Sequence, residues 1–165
     1  MAALGTGTKA PGFELRTVDG KPFSLDDERA RGPVVLAFFK VSCPTCQFAF
    51  PFLERLHKAY GSKGARVIGV SQNDARETAA FIKEFGITFP ILLDDPRSYA
   101  ASNAYGLTNV PSVFWVAQDA EIEVSSVGWV KADFEEISRR MAEASKIPPA
   151  IMFNRGEDVR DFRAG

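Results

Sequence analysis

Apolar residues along the chain fall into short continuous runs separated by longer mixed stretches. Val34 to Phe39 (VVLAFF) is apolar at every position. Such a run predicts a strand buried on both faces, as in a parallel sheet. RVIGV at 66–70 and SVFWVA at 112–117 read the same way, whereas EIEVSSV at 121–127 alternates as a hairpin edge strand would. Upstream, FELRTVDGKPFSL places two short apolar runs around Asp19-Gly20, a hairpin signal.

Between these strands the period lengthens. A helix is predicted from near Cys43 to about Tyr60, ending before Gly61. At roughly 100° per residue, Phe48, Ala49, Phe52, Leu53, Leu56 and Tyr60 share one stripe and are assigned to the core. Phe50 falls off that stripe on the flank nearer Cys43; it either edges a substrate surface or packs under neighbouring chain. Asp74 and Glu77 form a D-x-x-E helix start, with Phe81, Ile82 and Phe85 as apolar face and Gly86 as stop. Asp95-Pro96 suits an N-cap followed by proline at the first helical position, with Gly106 beyond the end. The last helix, about Ala132 to Ala144, aligns Phe134, Ile137 and Met141, and Pro148-Pro149 lie past it. Strands alternating with helices predict an α/β fold around a central, mostly parallel sheet.

Length and composition narrow the class. A chain of 165 residues with 45% hydrophobic and 25% charged residues suits one soluble domain with a sizeable core. A formal net charge of −1 gives no global reason to bind nucleic acid or an anionic membrane. No apolar run approaches the ~18 residues of a membrane-spanning helix. The start, MAALGTGTKAPGF, lacks a basic segment followed by a long apolar one. The sequence as given is therefore expected in the cytoplasm, or in the periplasm or another extracytoplasmic space if a signal has been removed. Residues after Pro149 are polar except for AIMF, and form either a packed extension or a loose end.

The chemistry concentrates in one place. The two cysteines, Cys43 and Cys46, are too few for a disulfide scaffold. A structural zinc site wants four ligands, and beyond this pair the chain offers only His57, so no metal is expected. Cys43 instead sits where a buried strand gives way to a helix. Unpaired amides and the helix dipole favour thiolate there, and Cys46 follows one turn later, placed to attack a mixed disulfide. Pro44 fits the first helical turn, where no N–H is needed. C-x-x-C at a strand-to-helix junction in a βαβ pattern is a redox signature far more specific than the spacing alone.

This segment resembles the active site of the thioredoxin superfamily. Pro51 lies where thioredoxins carry a helix-kinking proline, NVPSVF (109–114) is similar to their cis-proline segment, and VGWV (127–130) to the glycine turn before the final helix. Within the superfamily, KAPGFELRTVDGKPFSLDDERARGPVVLAFF is similar to the N-terminal hairpin and lead-in strand of the TlpA/ResA-like and AhpC/TSA-redoxin branch. EFGITFPILLDDPRSYAASNAYGLTNVPSVF resembles its strand-helix insertion. The resemblance covers about residues 8–145 of one domain, leaving 146–165 as an extension. It implies a thioredoxin-like fold: a central mixed sheet flanked by helices, an N-terminal hairpin, and an insertion before the cis-proline.

It also implies a monomeric thiol–disulfide oxidoreductase with no cofactor beyond the Cys43–Cys46 pair. Cys43 would be the nucleophile and Cys46 the resolving residue. Val110 and Pro111 would bind substrate beside them, the Val110 backbone in β fashion; Pro44 and Thr45 are further candidate substrate contacts, and Phe50 joins them if it edges that surface rather than packing under the insertion. Partners would be protein or small-molecule disulfides and thiols, together with a redox partner.

The sequence also departs from its relatives. Ala37 occupies the position of the buried acid of many thioredoxins, Ala49 that of a glutamate in some TlpA/ResA-like proteins, and Ser42 that of the usual tryptophan. No general base for Cys46 is evident. Lys40 could favour thiolate as a nearby cation, or be a solvated strand-end lysine; His57 is expected on the surface with Glu54 and Lys58. A peroxiredoxin-like thiol peroxidase is an alternative, but Lys40 and Leu36 stand where its threonine or serine and its proline belong. A Sco-like metal carrier would use C-x-x-x-C and a distant histidine, and no histidine follows His57.

Overall fold

The computed structural model describes residues 2–165. A hairpin of β1 (Glu14–Thr17) and β2 (Pro22–Ser24) comes first, Leu15 opposite Phe23, turning through Gly20 at a φ of +87° that favours glycine. Helix α1 (Leu25–Ala30) follows directly. The hydrophobic pattern did not announce it, but its start is written in Ser24, whose hydroxyl accepts the Asp27 amide at 3.3 Å, and in the acids Asp26, Asp27 and Glu28 of its first turn. Then come β3 (Val34–Phe39), α2 (Pro44–Tyr60), β4 (Arg66–Ser71), α3 (Ala75–Phe85), β5 (Ile91–Leu93), α4 (Ala100–Ala104), β6 (Ser112–Val116), β7 (Ile122–Val127), β8 (Trp129–Val130), α5 (Lys131–Ser145) and β9 (Phe162–Arg163).

Seven strands form one mixed sheet in the order β2-β1-β5-β4-β3-β6-β7. Strands β3, β4 and β5 run parallel, but β1 lies antiparallel to β2 and β5, β6 to β3 and β7 to β6, so the sheet is mixed rather than mostly parallel, because a hairpin closes each edge. The unbroken VVLAFF run is explained by its central place. Val35, Ala37 and Phe39 face a cluster with Cys46, Leu53 and Trp129, while Val34, Leu36 and Phe38 face a second with Leu25, Tyr105 and Phe114. Each fully buried Leu or Phe contributes about 1.5–3 kcal/mol, so a polar residue anywhere in β3 would damage one cluster or the other.

The strand-helix insertion differs from expectation in where its helix begins. Asp95 does not cap a helix at Pro96; its carboxylate holds Arg97, accepting from the backbone amide at 2.9 Å and from Nε at 3.1 Å. Helix α4 starts five residues after Asp95, beyond Tyr99 in a left-handed conformation. Its cap is the buried Asp94, which accepts the Ala101 and Ser102 amides at 3.1 and 2.8 Å. The other helices keep their expected bounds to within a residue or two.

The residues after α5 are a packed extension. Met152 is buried, and Phe153 rests on Phe52 and Trp129. Arg55 of α2 donates to Glu157 through both Nη atoms at 2.7 Å, and the Trp129 Nε1 donates to the Arg160 carbonyl at 2.7 Å. Strand β9 then pairs with β8, setting Arg163 opposite Trp129.

Candidate active site

Strand β3 ends at Phe39, and the chain needs only Lys40 to Ser42 to reach α2. The Cys43 amide donates to the Lys40 carbonyl at 3.2 Å, closing this turn. Cys43 is the N-cap of α2: its backbone is extended, Pro44 follows at the helix start, and its sulfur accepts the Cys46 amide at 3.1 Å. The sulfur thus occupies the place where a helix concentrates unpaired donors and positive potential. Both cysteines are in the unlinked, reduced form, Cys43 half-buried and Cys46 fully buried one turn later. Burial pushes the Cys46 thiol well above the ordinary range for cysteine, and the Cys43 sulfur against it adds to the rise. The pair is therefore asymmetric: one sulfur meets the outside, and the other meets only its neighbour.

The cis-proline segment lies beside it. The Val110–Pro111 bond is cis, and the Cys43 thiol donates to the Val110 carbonyl at 3.4 Å. Ser112 bonds back to the Asn109 carbonyl at 2.8 Å, fixing the turn into β6. A cavity of about 440 Å³ opens next to Cys43, lined among others by Lys40, Gln72, Tyr99, Asn103, Val110 and Gly165. Lys40 is exposed at its rim.

The structure brings together Cys43, Pro44, Thr45, Cys46, Val110 and Pro111, but not Phe50. Phe50 is fully buried, its ring 4.3 Å from that of Phe39 and within 6 Å of those of Phe81 and Phe89. Helix α2 packs against both the sheet and the α3–β5 region, so its apolar arc is wider than one stripe and takes Phe50 in. It cannot edge a substrate surface; it packs under the insertion. Thr45 is only 4% exposed because the extension covers it, the hydroxyl donating to the Ala164 carbonyl at 2.5 Å.

His57 also departs from expectation. It is half-buried with its ring 5.8 Å from Phe89, and burial lowers its pKa below the ordinary value. Glu54, expected beside it in solvent, is buried and accepts the Thr88 amide at 2.8 Å and hydroxyl at 2.5 Å. It serves the loop before β5, and lies two helical turns from Cys46, about 11–12 Å along the axis. Ala37 and Ala49 are fully buried and apolar, so the positions where relatives place an acid contribute none here.

Residues 6–125 match the AhpC/TSA family. The chain belongs to that family. Among curated relatives, the thiol-disulfide oxidoreductase ResA of Geobacillus thermodenitrificans is 30% identical over 122 residues, 73% of this chain and 68% of that protein. The ResA of Geobacillus kaustophilus is 30% identical over 135 residues, 81% and 76%. A thiol:disulfide interchange protein of the thioredoxin family from Chlorobium tepidum superposes with a TM-score of 0.69 at 29% identity, covering 84% of this chain and 99% of that one. The fold is thioredoxin-like, and these ResA homologues of the AhpC/TSA protein are thiol-disulfide oxidoreductases.

Proposed function

We propose that this AhpC/TSA protein is a dithiol reductant of disulfides, protein disulfides included, working through Cys43 and Cys46. The observation that carries the reading is the asymmetry of the pair: a helix-capping sulfur at the surface, with its partner sealed beneath it. The Cys43 thiolate attacks one sulfur of the substrate disulfide. An S–S bond to Cys43 forms, the substrate S–S bond breaks, and one substrate thiolate leaves and takes up a proton. The Cys46 thiolate then attacks the Cys43 sulfur, releasing the second substrate thiol and leaving Cys43–Cys46 oxidised by two electrons. An external dithiol restores the pair by the reverse exchange.

The sparse donors on the Cys43 sulfur favour the reducing direction. A strong oxidant needs a reduced form stabilised at the attacking sulfur. Among the described residues, the Cys46 amide is the donor recorded on the Cys43 sulfur, and no ion pair joins it. A redox titration against glutathione and dithiothreitol is expected to give a potential below about −200 mV, on the thioredoxin side of the scale. Cys43→Ser should abolish disulfide reduction, and Cys46→Ser should accumulate the mixed disulfide. A pair that forms no disulfide at any poise would end this reading, and rapid Cys43-dependent consumption of peroxide would replace it with a peroxidase.

A further inference from the structure

The extension reaches the substrate-binding edge itself. Phe162 and Arg163 are held by pairing with Val130 and Trp129, and the Arg163 guanidinium lies over the Phe48 ring at 5.6 Å. This anchor delivers the next two residues onto the site. Ala164 takes the Thr45 hydroxyl through its carbonyl at 2.5 Å, and Gly165 sits so close to the Val110 carbonyl that a methyl group in place of its hydrogen would collide with it. Gly128 is part of the same seat: its φ is +75°, and a side chain there would meet the Arg163 carbonyl.

Thr45 and Val110 are the groups an extended polypeptide would use to lie across the cysteines. The protein's own Ala164-Gly165 already occupies them. The cavity beside Cys43 is lined by Lys40, Gln72 and Asn103 and also by Val110 and Gly165, so the segment forms part of its wall without filling it. The two approaches to the sulfur are therefore unequal: the peptide edge is covered, and the cavity of about 440 Å³ is open.

Resting on the reductant reading above, we propose that Ala164-Gly165, anchored by β9, is a specificity-setting strap. When seated it admits small disulfides to Cys43 through the cavity, and protein disulfides compete with it for Thr45 and Val110. An intramolecular occupant acts at a high effective concentration. A binding-competent form populated a tenth of the time weakens apparent affinity about tenfold.

The test compares insulin, a protein disulfide, with 2-hydroxyethyl disulfide, a small one, using dithiothreitol as reductant. Two variants displace the strap tip and keep its anchor: a chain ending at Arg163, and Gly165→Val. Both are expected to raise kcat/KM for insulin about tenfold, with 2-hydroxyethyl disulfide changed by less than about twofold. A peptide of residues 158–165 added to the shortened chain should suppress insulin turnover and spare the small disulfide. Insulin turnover that stays level or falls in both variants, while small-disulfide turnover persists and depends on Cys43, would overturn the strap alone. Absence of Cys43-dependent turnover with either substrate in every form would remove the oxidoreductase reading, and the strap with it.

Discussion

Cys46 carries the sharpest consequence at the scale of single residues. In the proposed exchange only its thiolate resolves the mixed disulfide, and burial raises its pKa. Its thiolate fraction thus grows about tenfold per pH unit across the neutral range. Single-turnover resolution of a Cys43 mixed disulfide should accelerate steadily from pH 7 to 9 without a plateau. A plateau near pH 7 would show that an unrecognised base assists it. The same shift enters stability. A thiol whose folded pKa exceeds its unfolded value of about 8.5 holds its proton longer when folded. The reduced protein is therefore fully stabilised by this group below about pH 8.5 and loses stability as pH rises above it, at up to about 1.4 kcal/mol per unit. Urea denaturation between pH 8 and 10 should show this slope, and Cys46→Ala should flatten it. Phe50 belongs to this scale too. Set among Phe39, Phe81 and Phe89, it should cost about 3–5 kcal/mol when replaced by alanine. The denaturation midpoint is the measurement, and the folded fraction should reduce small and protein disulfides in the wild-type ratio.

Among the elements, the candidate site was legible because strand, turn and helix each left a signal in few residues: a continuous apolar run, Cys43 before Pro44, and a long amphipathic stripe. The places that misled are those where tertiary contact overrides a local rule. Asp95-Pro96 has the composition of a helix start, yet the neighbouring Asp94 is buried and takes that role because β5 carries it inward next to the amides of Ala101 and Ser102. The extension was illegible for a related reason. Its anchors are one ion pair, a two-residue ladder and scattered aromatic and hydrogen-bond contacts, with no period to read. Glu157 is central to them. The two hydrogen bonds from Arg55 hold its carboxyl down at about 2, so it stays charged until the pH falls well below the usual carboxylate range and supports docking at all higher pH. Glu157→Gln should therefore loosen the extension at neutral pH. Limited trypsin digestion should cleave after Arg160 several-fold faster, with β3 and α2 still protected. Unchanged cleavage would mean that the aromatic contacts of Phe153 suffice.

For the whole molecule, the question is how far the extension is part of the fold. Both clusters flanking the sheet, and all seven of its strands, are assembled from residues up to Ser145, apart from Met152 and the partly buried Ile147, Phe153 and Val159. Trp129 joins the two parts. It is fully buried, with its ring 5.0 Å from those of Phe48 and Phe52 and 4.3 Å from that of Phe134, and its N–H is committed to Arg160. Removing residues 150–165 would uncover one side of this ring and forfeit the burial of Met152 and Phe153, each worth about 1.5–3 kcal/mol. It would also leave the indole N–H to find water, a loss offset by its new exposure. The expected total of about 3–6 kcal/mol is a large part of the 5–15 kcal/mol that holds a domain of this size together. The shortened chain should therefore still fold cooperatively, with a lower urea midpoint and a red-shifted tryptophan emission. It should also keep reducing small disulfides, because no residue after Pro149 supplies a thiol or donates a hydrogen bond to the Cys43 sulfur. A chain that fails to fold without the extension would make the strap and the core one unit, and one that loses no stability would make the packing around Trp129 energetically idle.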